Sequence, residues 1–440
     1  MLRALVLAAL AGLAACSTPL DRVDLAAPAA ADLEPVLQTR DGAPIRDAAD
    51  WATHAGHLRE IFQREIYGYF PDRSGVTVLD HAVVDDNAFG GLGVFETWDV
   101  QVSAQFGASS VDTGAFVIDV VLPRSGRPIG VVMMQTFCPR TDAVPHPAVS
   151  SGGPGVSCNG GAVSWVMRRA FRRVVARPPM EAFLERGYAV ASMHSRDVVP
   201  DDPRAGIDAL NSLAPERSED DTRWGAIGAW AWLYSRMIDV LSADPRLAGA
   251  NYIALGHSRF GKAALVAGAF DARIAAVIAN QSGTGGAALA RGGVGESIAQ
   301  ITLVYPHWFA TRYEAYAGRE SDLPVDQHEL LALIAPRPIF LGGARRDRWA
   351  DPLGSYRAAL EADPVYELLG ARGLDQADIG AFNAAGGIAF WLRRGFHGVE
   401  PEDWQAMLAF LEAHFGAWRN GELEWRVTAW VGCWGAGFSC

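Results

Sequence analysis

Lysine is almost missing from this chain of 440 residues: among 38 basic residues, 37 are arginine and the exception is Lys262. Positive charge is also short overall. The 38 cations face 50 aspartates and glutamates, for a formal net charge of −12. That balance lacks the basic footprint that nucleic-acid binding requires. Cysteine is scarce, with five residues and no Cys/His cluster at zinc-ligand spacing, so no metal site is expected. No internal repeat is present, and no apolar run past the first residues is long enough to cross a bilayer. What remains is half hydrophobic and one-fifth charged, the composition of a globular protein.

The first residues predict export. Arg3 precedes an apolar run from Ala4 to Leu13, followed by Ala14, Ala15 and Cys16. This reads as a signal peptide over 1–15, too short to span a membrane. Leu13-Ala14-Ala15-Cys16 also resembles the bacterial lipobox, in which the cysteine is lipidated; the alternative is plain cleavage with Cys16 incidental. The expectation is a periplasmic or cell-surface lipoprotein, anchored through Cys16 and tethered by the Ala/Pro-rich residues 17–32. Of the remaining cysteines, the local pairings Cys138–Cys158 and Cys433–Cys440 suit an exported protein.

Along 33–418 the pattern alternates. Residues 55–70 read as helix, and from about 75 to 122 the pattern turns strand-like, with Val76–Val78 and Ala115–Val121 its clearest segments. Pro128–Met134 and Gly187–Met193 are continuous apolar runs, the mark of strands buried on both faces. A Gly-rich loop at 152–161 and a helix carrying Arg168, Arg169, Arg172 and Arg173 lie between them. Residues 224–241 form a helix with Ile227, Ala231, Tyr234, Ile238 and Leu241 on one face. Asn251–Leu255 is a strand, 262–270 a helix, 275–279 and 337–341 strands, and 403–416 a closing helix. Strands alternating with helices predict a three-layer αβα sandwich of the α/β-hydrolase type, one catalytic domain with a mostly parallel sheet. We expect it to act as a monomer. The tail 419–440 carries no functional reading.

Gly256-His257-Ser258-Arg259-Phe260-Gly261-Lys262 stands where a strand hands over to a helix. That is the setting of a nucleophile elbow, which exposes a serine hydroxyl at the carboxyl edge of the sheet. The second glycine comes one residue late for G-x-S-x-G. The only lysine follows four residues after Ser258, where a compact ammonium can hydrogen-bond sugar hydroxyls or a carboxyl group and a planar guanidinium is too broad. Ten histidines are available as base. His54, His57 and His81 precede the sheet and are expected at the surface; His146 and His194 follow strands and could line the mouth. His257 lies inside the elbow, and His307 and His328 read as core or rim. His397, in a Gly-flanked loop before the last helix, is the expected general base. Its acid partner belongs in the loop after 338–341, which holds Asp347 and Asp351. Asp347 is nearer the strand end, whereas Asp351 precedes Pro352 and suits a helix cap. The order Ser–Asp–His is that of α/β-hydrolases.

These residues resemble the glucuronoyl esterases, carbohydrate esterase family 15. The resemblance spans roughly 50–410 and is most specific in Gly256–Lys262. Gln281-Ser282-Gly283-Thr284-Gly285-Gly286, Leu323–His328, Leu333–Pro338 and Trp349–Pro352 support it. It implies hydrolysis of esters joining 4-O-methyl-glucuronic acid on xylan to lignin alcohols. It further implies that Arg259 stabilises the oxyanion, Lys262 contacts the sugar hydroxyls, Trp349 lines the sugar site and Glu296 binds a hydroxyl. Gln281 departs from the family, where many members carry the acidic triad residue.

The chemistry that follows is attack by Ser258 on the ester carbonyl while His397 takes its proton. The oxyanion meets Arg259 and backbone amides, with Thr136–Cys138 one source of them. No cofactor is needed. A carbohydrate acetyl esterase would share the triad but has little use for a cation beside an uncharged acetyl group. A surface glycan-binding lipoprotein without activity could use Gln281 and the 14 tryptophans, but would not need Ser258, Asp347 and His397.

Overall fold

The structure is a computed structural model that describes residues 33–149, 158 and 175–416. Ten strands form one sheet: β1 Arg73–Asn87, β2 Gly93–Phe106, β3 Ser109–Asp112, β4 Phe116–Pro123, β5 Gly130–Gln135, β6 Tyr188–Met193, β7 Asn251–His257, β8 Ile274–Asn280, β9 Ile339–Ala344 and β10 Ile388–Arg393. Their order is β1-β2-β4-β6-β5-β7-β8-β9-β10, with β3 beside β2. The first part is antiparallel; from β6 through β10 every pair is parallel. The α/β-hydrolase expectation therefore holds, with a mixed sheet whose parallel half carries the chemistry.

The parallel strands were predicted from apolar runs, and the reason is visible in their burial. All six residues of β5, β6 and β9 are buried. Helices cover both faces: Val131 and Met133 of β5 face one core and Val132 and Met134 the other. On the first face lie α1 Ala48–Phe62, α3 Ala226–Ser242, α4 Arg259–Phe270, α6 Gln327–Ala332 and α7 Pro352–Leu368; on the second lies α8 Pro401–Phe415. Two more helices, α2 Pro203–Leu213 and α5 Ile298–Val304, add Leu210, Leu213, Ile298 and Ile301 to the first core.

Departures from the expected pattern have local causes. α1 starts at Ala48 rather than near 55, because the Asp47 carboxylate accepts the backbone N–H of Ala49 and Asp50. Its inward stripe of Trp51, His54, Ala55, Leu58 and Phe62 takes His54 into the core, against the expected surface position, while His57 and His81 are exposed. β1 and β2 extend far beyond Val76–Val78 as a long antiparallel ribbon.

β5 lies between β6 and β7, so the chain leaves β5 in one direction and later crosses to its other side. That is a topological switch point, where open α/β sheets place their ligands beyond the strand carboxyl ends. Ser258 follows β7 there.

The Cys138–Cys158 disulfide is formed, with Cα atoms 5.6 Å apart. Cys16, Cys433, Cys440, the Gly-rich loop and the helix of Arg168 to Arg173 lie outside the described residues, Cys158 apart.

Candidate active site

Ser258 caps the N-terminus of α4 with φ 58° and ψ −124°. A non-glycine residue there stores strain, which persists only where the surroundings enforce it. They do: the Ser258 N–H donates to Asn280 O at 2.8 Å, and its carbonyl accepts from Gly261 and Lys262. Gly256 is required for the turn, because a Cβ there would lie 2.0 Å from Phe260 O. The displaced second glycine, Gly261, packs against Gly256 O and Ser282. Arg259 opens α4, so its backbone N–H is among those a helix leaves without an internal acceptor. The Ser258 hydroxyl makes no hydrogen bond among the described residues, and in unliganded enzymes the catalytic hydrogen bonds commonly tighten only with substrate.

His397 sits in the loop after β10, its ring 4.8 Å from that of His257 in the elbow. Its Nδ1 meets Asp347 Oδ2 at 2.7 Å, and the Asp347 carboxylate is buried beneath it. Asp351 does something else. At φ 45° it caps α7, accepting from Gly354 N–H, and its second oxygen accepts from Val294 N–H. Of the two aspartates left open by the sequence, the structure brings only Asp347 to His397.

Gln281 also adopts a positive φ, 53°, and its Oε1 accepts the Gly398 N–H at 2.8 Å. The Asn280 amide donates to Gly398 O and lies 3.2 Å from His257 Nδ1. The peptide after the base is thus held on both sides by the residues that end β8. The amide at 281 grips the backbone of the histidine loop.

Lys262 is buried, and its Nζ donates to the Ser282 and Thr284 carbonyls, both at 2.5 Å. Burial, with Arg259 nearby, pushes its pKa down to about 8, against the opposing pull of Glu296 and Asp347. Glu296 is raised, chiefly by burial and in spite of Lys262, and its Oε1 is buried without a partner. The Glu296 N–H donates to Trp349 O at 3.0 Å, an approach open only because Gly295 has no Cβ, which would stand 2.6 Å from that oxygen. Trp349 itself is 52% exposed. Lys262 and Glu296 therefore lie close enough to feel each other's charge, and Glu296 is tied to Trp349 through the backbone.

The Arg259 guanidinium donates through NH1 to Asp201 and lies over the rings of Trp308, Tyr305 and Phe137, at 4.9, 5.6 and 5.7 Å. Sequence reasoning missed Asp201, Trp308 and Tyr305; no spacing links them to Ser258. It also proposed the Thr136–Cys138 loop for oxyanion amides, but the Cys138 N–H is engaged by Thr136 Oγ1 at 3.0 Å. Other histidines have their own partners: His81 at Glu96, His146 at Asp85, His194 at the Cys138 carbonyl, and the buried His307 and His328 at Asp201 and the Glu34 carbonyl.

Comparison with known proteins gives the family. Residues 170–370 match the family model described as glucuronyl esterase, fungi. A carbohydrate esterase from an unknown prokaryotic organism is 33% identical over 383 residues, 85% of this chain and 87% of the relative. A 4-O-methyl-glucuronoyl methylesterase of Wolfiporia cocos is 38% identical over 159 residues, 34% of this chain and 39% of its own length. Among solved structures, a promiscuous family 15 esterase from a marine bacterial metagenome superposes with a TM-score of 0.72 at 30% identity, covering 87% of this chain and 96% of that one. With a third of its residues identical across most of both chains, and the same fold, the chain belongs to the glucuronoyl esterases, carbohydrate esterase family 15.

Proposed function

We propose that this enzyme hydrolyses esters of 4-O-methyl-glucuronic acid, of the kind that join glucuronoxylan to lignin, through a Ser258–His397–Asp347 triad. The carrying observation is the 2.7 Å contact between His397 Nδ1 and Asp347, with Ser258 in a strained elbow beside it. Ser258 Oγ attacks the ester carbonyl and passes its proton to His397 Nε2. Asp347 fixes the ring orientation and stabilises the imidazolium. The oxyanion is met by the Arg259 backbone N–H and guanidinium. Collapse expels the alcohol, which takes the proton from His397. Water, deprotonated by His397, then releases glucuronate from Ser258. Lys262, Glu296 and Trp349 form the sugar site: a donor, an unpartnered buried carboxylate oxygen and an exposed ring. Fungal relatives named 4-O-methyl-glucuronoyl methylesterases support the substrate class. The lipobox-like Leu13–Cys16 supports export to the periplasm or cell surface on a lipid anchor, where plant polymer is met.

The test compares benzyl glucuronate with an aryl acetate. The expected result is strong preference for the glucuronate ester, its loss in Ser258→Ala, and a fall in kcat of up to about 10⁴-fold in Asp347→Asn with KM changing less. Preference for the acetate would select the acetyl-esterase reading. A steep loss in Asp351→Asn beside a mild one in Asp347→Asn would move the triad acid.

A further inference from the structure

We propose that Asp201 is a positioning residue for this reaction: it anchors the Arg259 guanidinium beside Ser258 and offsets its charge, so that the uronate product is released rather than held. The inference rests on the uronate-ester reading above.

Asp201 and Asp202 are adjacent but do different work. Asp202 caps α2, accepting from Arg204 and Ala205 N–H. Asp201 turns inward, and three donors converge on its carboxylate. Oδ2 accepts from Arg259 NH1; Oδ1 accepts from Trp308 Nε1 at 2.9 Å and meets His307 Nε2 at 3.2 Å. His307 is fully buried, and burial, with Arg259 second, pushes its pKa down to about 4. At neutral pH it is therefore the uncharged ring, and Nε2–H donates to Asp201 while Nδ1 has no partner. The carboxylate keeps its negative charge for Arg259. The support is rigid: a Cβ on Gly206 would stand 2.8 Å from His307 Cδ2, and Tyr305 and Trp308 stack at 3.8 Å under the guanidinium.

The charge matters because the reaction creates one. The ester is neutral at its reacting carbon, and the product is a carboxylate released beside two cations, Arg259 and Lys262. Uncompensated, that pair would favour product over substrate. Asp201 balances Arg259 through NH1, while Nε and NH2 carry no hydrogen bond among the described residues, leaving NH2 for the oxyanion.

The experiment measures benzyl glucuronate hydrolysis, inhibition by free glucuronic acid and thermal unfolding for Asp201→Asn, Arg259→Ala and the double variant. Asp201→Asn should fold, lower kcat about ten- to a hundredfold and bind glucuronate several-fold more tightly. Added to Arg259→Ala, it should change kcat/KM by less than about twofold, because both act through one group. Asp201→Glu should recover part of kcat. A merely structural role would leave product affinity unchanged and give losses that add; either result overturns the proposal. If Asp201→Asn unfolds, Trp308→Phe removes one donor from the carboxylate and keeps a ring below Arg259; an unchanged kcat there would also overturn it. Absence of wild-type turnover on benzyl glucuronate would sink the proposed function, whereas turnover indifferent to Asp201 sinks this inference alone.

Discussion

An ammonium has three hydrogens to place, and Lys262 commits two of them to the Ser282 and Thr284 carbonyls. The third is the one left for a sugar hydroxyl. Its pKa, pushed down to about 8 by burial, decides whether that hydrogen exists. Above pH 8 the amine keeps two hydrogens, both still on carbonyls, and turns a lone pair toward the sugar. We therefore expect KM for benzyl glucuronate to climb as pH passes about 8, with KM for an aryl acetate flat and the rise absent in Lys262→Met. Parallel pH profiles for the two substrates would remove the argument. The sign for stability follows from linkage. The pKa is lower folded than unfolded, so burying the protonated amine costs stability below about pH 8, and that cost fades as pH rises toward the unfolded value. The scarcity of lysine made this residue legible from sequence. Asp201 was not, since nothing in the sequence separates it from its neighbour Asp202.

The histidine loop is held by a clamp that its own strand supplies. Arg393, the last residue of β10, donates to the carbonyls of Arg394, Phe396 and Gly398 and ion-pairs with Asp403 of α8 at 2.7 Å, both side chains almost wholly buried. Removing one member of such a pair strands the other charge and costs about 3–5 kcal/mol. Arg393→Met should lower unfolding free energy by that order in urea titration, and lower kcat more than KM, because the base drifts while the sugar site stands. Elements read from sequence where burial was uniform, as in β5, β6, β7 and β8, because a strand covered on both faces is one apolar run. Their bounds stayed open where one face is only half-buried, as along β2, whose buried and half-buried residues alternate within a stretch that read as strand-like throughout. Of α7 only the start was read, from Asp351 before Pro352; Pro364 inside it and a weak apolar stripe hid its extent. Gln281 looked like a defect in the triad; only the fold shows its amide on Gly398.

At the scale of the molecule, two cores lie on opposite faces of one sheet, and α4, packed in the first of them, presents Ser258 at its N-terminus. Fold class and the place of Ser258 between a strand and a helix were legible because strand–helix alternation is a property of the chain. The convergence of Asp201, Trp308 and Tyr305 on Arg259 was not, since loops more than a hundred residues apart in sequence meet only after folding.

The lone lysine has a consequence for handling the protein. A lysine-specific endoprotease has a single place to cut, after Lys262, and that bond lies inside a helix whose residues from Phe260 to Ala269 are all buried. The native chain should survive such digestion intact. Once unfolded it should give two fragments and no others, so a gel becomes a direct count of molecules that have opened globally. Trypsin, with 37 arginines to choose from, reports every local fluctuation instead. Cleavage at Lys262 that outpaces global unfolding would mean that α4 opens on its own.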